Sequence, residues 1–110
     1  MRLSPKDPEL PFYLVNFGIH HLFEERYEEA CVWAEKALHE NPHFPSGYRL
    51  LTTANGLLGN QVEAHQAYEK IWQLVPGMTV KSCKETLPFA FAADVERYAQ
   101  GLRLAGVPEE

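Results

Sequence analysis

Three prolines at equal intervals, Pro8, Pro42 and Pro76, constrain this chain more than any other feature: each follows the last by 34 residues. Proline lacks an N–H donor and clashes with the preceding turn, so it ends a helix. Ahead of Pro42 the segment YEEACVWAEKALHENP carries Ala30, Ala34 and Ala37, which share one face of a helix by their steps of four and three. Small side chains there let a second helix come close. Ahead of Pro76 the segment VEAHQAYEKIWQLVP repeats the grammar with Ala64, Tyr68 and Ile71. A period of 34 residues is that of a helix–turn–helix repeat, and it predicts an all-α chain.

The spacing then predicts the elements in order. Residues 1–10 form the end of an earlier repeat, or an N-terminal tail, with Pro8 in the register of Pro42 and Pro76. The first reading implies a longer protein. Residues 11–44 and 45–78 form two helical pairs, with helices over Pro11–Glu24, Tyr27–Asn41, Pro45–Leu58 and Gln61–Val75. In the first helix Leu14, Phe17, Gly18 and His21 share a face, and Gly18 is expected to meet Ala30 closely. In the third, Tyr48, Leu51, Thr52 and Asn55 form the inward stripe, and Gly59 is a natural left-handed stop. Residues 79–110 form a capping pair: a short helix capped by Thr79, running through Glu85 and closed by Pro88, then a helix over Ala92–Ala105. Phe91, Val95, Tyr98, Leu102 and Ala105 give that last helix one apolar stripe, with Glu96, Arg97, Gln100 and Arg103 toward water. A repeat array needs such a polar-faced terminal element.

The two central pairs resemble the tetratricopeptide repeat family. Leu14, Phe17, Gly18, Ala30, Ala34, Ala37 and Pro42 in the first, and Tyr48, Leu51, Ala64, Tyr68, Ile71 and Pro76 in the second, stand where that family's signature residues stand. His21 and Asn55 replace its usual aromatic residue, and Thr52 its usual glycine. The resemblance implies an α-α superhelix of two repeat units plus a C-terminal pair. The stretches RYEEACVWAEKALHENPHFPSGYRLL, VPGMTV, LPF and ADVERYAQGLRLAGVPE are further similar to the C-terminal repeats of bacterial proteins that carry a class III adenylate/guanylate cyclase or a winged-helix regulator domain upstream. Phe91-Ala92 replaces the Asp-Pro that commonly opens the last helix there. This implies a non-catalytic protein–protein interaction module at the regulatory end of a signalling protein.

In the repeat family the first helix of each pair lines a concave groove. The corresponding positions here are Phe12, Val15, Asn16, Ile19, Leu22 and Phe23, then Ser46, Arg49, Leu50, Thr53, Gly56 and Leu57. The first set is apolar enough to require cover, because burying one Phe or Leu is worth roughly 1.5–3 kcal/mol. The cover would be a preceding repeat or upstream domain, an apolar peptide segment of a protein partner, or a second copy that makes the chain a homodimer. Relatives that grip a terminal carboxylate need polar groups where Val15, Ile19 and Leu50 stand; Asn16 and Arg49 are too few.

Composition narrows the partners. With 110 residues, 45% of them hydrophobic, the chain suits one modest domain, and a net charge of -5 disfavours nucleic acid, whose phosphates draw on clustered Lys and Arg. The apolar run Leu10–Phe23 follows a basic Met1–Lys6, but acids and histidines interrupt it, no small-residue cleavage site follows, and it is too short to span a bilayer. No membrane partner and a cytoplasmic location are expected. Cys31 and Cys83 lack metal or redox spacing and read as reduced thiols. Adjacent His20 and His21 diverge on a helix, and Pro42 separates His39 from His43, so no metal site, cofactor or catalytic residue is expected. The acidic run Glu24, Glu25, Glu28 and Glu29 reads as a solvated helix junction, or else as a patch for a basic partner.

Overall fold

Proline opens two of the first four helices, and all four are 14 residues long: α1 (Leu10–Phe23), α2 (Tyr27–Glu40), α3 (Pro45–Leu58) and α4 (Gln61–Leu74). Two more follow, α5 (Val80–Thr86) and α6 (Ala92–Leu104). The computed structural model describes residues 9–86 and 92–110, and these are all-helical, with no strand. The expected remnant at residues 1–10, apart from its last two residues, lies outside that range, as do Pro88 and Phe91.

Each boundary has a local cause. Pro11 and Pro45 lie in the first turns of α1 and α3, where a missing N–H costs nothing. The α2 span recurs in α4 displaced by 34 residues. Glu28 and Glu29 sit at the positive start of α2 and His39 at its negative end. Gly59 ends α3 at φ +83°, and the N–H of Asn60 closes the turn on the Asn55 carbonyl at 2.9 Å. Thr79 accepts the Ser82 N–H at 3.1 Å through its hydroxyl, while the Ser82 hydroxyl oxygen accepts the Thr79 N–H at 2.9 Å. This reciprocal pair caps α5.

The helices pack as two antiparallel hairpins, α1 on α2 and α3 on α4, joined by a broad contact between α2 and α3. The alanine stripe forms these joints: Ala30, Ala34, Ala37 and Ala64 are fully buried. A Cβ added to Gly18 would lie 3.3 Å from the Ala30 carbonyl oxygen and 3.1 Å from the Trp33 Cβ, so this glycine admits the close approach its spacing predicts. Gly47 does the same for α3 against α2, where an added Cβ would lie 2.8 and 2.9 Å from the Leu38 side chain. Leu22, Leu50, Ile71 and Leu102 are the largest of the fully buried side chains among the described residues.

Phe17 departs from the predicted inward face. It is 45% exposed, at the outer edge of the first hairpin, with its ring 5.2 Å from that of Trp33. On the third helix the predicted stripe is buried or half-buried, but so is the opposite side: Thr52 through Gly56 are buried without a break. The cause is the terminal pair, which closes the array from the α3 side. Helix α6 lies along α3, with α5 behind it. Their contact is backbone against backbone, since a Cβ on Gly56 would strike the Gly101 carbonyl and one on Gly101 would strike Thr53. The tail returns to α5, whose Val80 and Lys81 N–H groups donate to the Pro108 and Glu109 carbonyls at 2.8 and 3.0 Å.

Candidate interaction surface

The twelve predicted groove positions divide sharply. On α3, Leu50 and Thr53 are fully buried, Gly56 is buried, and Ser46, Arg49 and Leu57 are half-buried. The Thr53 hydroxyl donates to the Tyr98 carbonyl of α6 at 2.6 Å. The chain's own last helix thus takes the Thr53 and Gly56 positions of the expected groove, while the Leu50 side chain lies over Gly18 of α1, and none of the three faces an open surface. Arg49 donates to the Ser46 hydroxyl at 2.8 Å. It also lies near Cys83 and Tyr98. Burial raises both of those groups, the Cys83 thiol and, much further, the Tyr98 phenol, and the Arg49 charge opposes the rise in each.

On α1 the pattern differs. Val15 and Leu22 point into the core, and Ile19 and Phe23 are half-buried against it. That corrects the expectation that all six positions face a partner: Val15 and Leu22 serve the hairpin itself. Phe12 and Asn16 stay exposed. Phe12 is 58% exposed even though its ring meets Phe44 edge-on at 4.9 Å. Five residues on, and about 140° further round the helix, Phe17 packs instead on Trp33, with the Lys36 ammonium 4.5 Å from the Trp33 ring centroid.

The acidic run at the α1–α2 junction is exposed and partly paired within the chain. Glu29 lies 3.1 Å from His21 Nε2 and Glu25 3.6 Å from Arg97. Across the C-terminal pair, Lys84, Glu96, Arg103 and Glu109 form a line of ion pairs.

Cys31 is half-buried, and its thiol is pushed up to about 11 by burial, with smaller contributions from Glu35 and Glu28. It is therefore protonated at neutral pH, the wrong state for a nucleophile. Among the described residues no three His, Cys, Asp or Glu side chains converge as a metal site, and no helix is long and apolar enough to cross a membrane.

One surface was not singled out by sequence. On the outer side of α4, His65, Tyr68, Glu69, Trp72 and Gln73 line an open trough of ≈ 320 Å³. Trp72 is 51% exposed and Val62 66%. The signal lay in comparing the repeats: at the positions where α2 has Ala34 and Leu38, α4 has Tyr68 and Trp72. Comparison with known protein families, with curated proteins and with solved structures gives no match.

Proposed function

We propose that this chain is a non-catalytic, cytoplasmic protein-interaction module of the tetratricopeptide type, the regulatory or scaffolding end of a larger bacterial signalling protein of the cyclase-bearing kind. Its partner is an apolar protein segment or an upstream domain of the same protein. The observation that carries this reading is the exposure of aromatic residues on α1. Phe12 and Phe17 remain 58% and 45% exposed on a helix whose other large apolar groups are buried or half-buried. Exposed aromatic side chains on a small domain mark contact sites. The 34-residue register and the alanine-lined joints support the repeat reading.

The test is a peptide-display selection against the whole chain, with Phe12→Glu as the counter-target. Enriched peptides should be apolar, and their binding should weaken at least about tenfold on Phe12→Glu, since losing one aromatic anchor costs more than about 1.4 kcal/mol. Equal binding to both chains would overturn the α1 assignment.

A second reading, self-association, is favoured by Trp72 and Val62, which expose apolar surface on α4 at the far end of the array.

A further inference from the structure

We propose that the trough on α4 receives an arginine side chain of a basic protein partner, its guanidinium laid on the Trp72 indole beside the Glu69 carboxylate. The site is separate from the α1 surface and stands or falls without it. Three observations carry it.

The first is the lining. Tyr68 and Trp72 stand one turn apart, with ring centroids 6.5 Å from each other and planes tilted by 56°. Glu69 lies about 60° round the helix from Trp72, and His65 and Gln73 complete the walls. These groups offer a cation π-faces, a carboxylate and lone pairs. No Lys or Arg lines the trough. Lys70, the nearest in sequence, lines a separate recess with His43 and Tyr48.

The second is that Glu69 is only half used. His65 Nε2 lies 3.2 Å from its Oε1, and Oε2 has no partner among the described residues. A planar guanidinium can donate to Oε2 while it stacks on the indole. A lysine ammonium is a point charge, more strongly hydrated, and cannot stack. The net charge of -5 favours a basic partner in the same sense.

The third is a comparison inside the chain, which has two tryptophans. Trp33 already carries a cation, the Lys36 ammonium 4.5 Å from its ring centroid. At the same step of three from Trp72 stands Val75. Helix α6 lies on α3 and leaves this side of α4 open. Trp72 is therefore 51% exposed, with no cation over its ring among the described residues.

The test titrates the whole chain with the pentapeptide Gly-Ser-Arg-Ser-Gly, acetylated and amidated, and with twins carrying citrulline or leucine at the centre. The readout is the pair of indole N–H signals in a nitrogen–proton spectrum, assigned with Trp72→Leu. The chain is kept at a concentration where dilution moves neither signal, which separates binding from self-association. One exposed cation–π contact is weak, so initial slopes are compared. The Trp72 signal should move several-fold further with arginine than with leucine, or with citrulline, which keeps the shape and loses the charge. The Trp33 signal should hold still. Glu69→Gln should bring the arginine slope down toward that of citrulline, and added salt should do the same. Equal slopes for arginine and either twin overturn the proposal, the leucine case making the trough an apolar contact. Equal movement of Trp33, an arginine slope untouched by Glu69→Gln, or a Trp72 signal that never moves would each overturn it too.

Discussion

The Thr53 hydroxyl donates a 2.6 Å hydrogen bond to the Tyr98 carbonyl, joining α3 to α6 across 45 residues of sequence. Both residues are buried, so the donor has no water to return to. Thr53→Val keeps the shape and removes the donor. The expected loss is about 1 kcal/mol, the net worth of one such bond, read as a lower urea midpoint at unchanged slope. An unchanged midpoint would mean the bond contributes nothing to docking α6.

The same contact leaves no room for a side chain at Gly101. Its missing Cβ is replaced by the Thr53 hydroxyl and backbone carbonyl, neither of which can swing away as the end of a long side chain could. Gly101→Ala improves helix propensity by about 1 kcal/mol but forces the two backbones apart. Overpacking of a rigid contact costs roughly 3 kcal/mol or more and wins. Amide exchange on α6 should accelerate while exchange on α1 and α2 stays close to that of the unmodified chain. Uniform loss of protection across all six helices would show instead that α6 is not a separable layer.

The helix boundaries were legible because they rest on residues with one physical meaning. Pro11, Pro45 and Gly59 fix starts and stops by backbone geometry alone, and the predicted ends of α1 to α4 agree with the structure to within a residue. The docking of α6 was not legible. Its stripe of Val95, Tyr98, Leu102 and Ala105 tells that the helix has one apolar face, not which neighbour takes it. Gly56 reads in sequence as a groove position, whereas in the structure it is the place where two backbones touch. For the same reason Thr53 was expected to line an open groove. Val15 and Leu22 were misplaced by a simpler effect: α1 is apolar on most sides, so periodicity could not choose its core face.

Cys31 offers a prediction that separates burial from reactivity. Its thiol is raised to about 11 by burial first and by Glu35 and Glu28 second. Only the thiolate attacks alkylating agents. Modification by iodoacetamide should therefore be slow at pH 8 and should climb with pH up to about 11. Glu35→Gln should raise the rate at pH 8 slightly, because it removes only the second cause. A rate profile with its midpoint near that of a free thiol would contradict the environment described for α2.

Glu96 gives the acid limb of stability its expected shape. Hydrogen bonds from Lys84 and then Arg103 hold its carboxyl below the ordinary 4.5. A depressed folded-state value means the unfolded chain takes up the proton first on acidification. The contribution is then complete above the unfolded value and is lost as pH falls through and below it. Glu96→Gln should flatten the stability profile below about pH 5, and high salt should mimic the substitution, since these charges are exposed and screened. An acid limb identical in the variant would remove Glu96 from the α5–α6 connection.

Glu25 is the one non-glycine residue with positive φ among the described residues, at +63° where α1 turns into α2. The Arg26 N–H reaches back to the His21 carbonyl at 2.8 Å, so the turn requires this conformation. An L-residue pays about 1–2 kcal/mol there that glycine does not. Against that stand the greater freedom of glycine in the unfolded chain, about 0.4–1 kcal/mol, and the loss of the Glu25–Arg97 pair at 3.6 Å, which is exposed and worth little. Relief of strain outweighs both, and Glu25→Gly should raise stability by about 0.5 kcal/mol. Glu25→Ala separates the two effects: it keeps the strain, loses the pair and should be neutral to slightly destabilising in a thermal melt. If alanine stabilised as much as glycine, charge repulsion within the Glu24–Glu29 run, not backbone strain, would govern this turn.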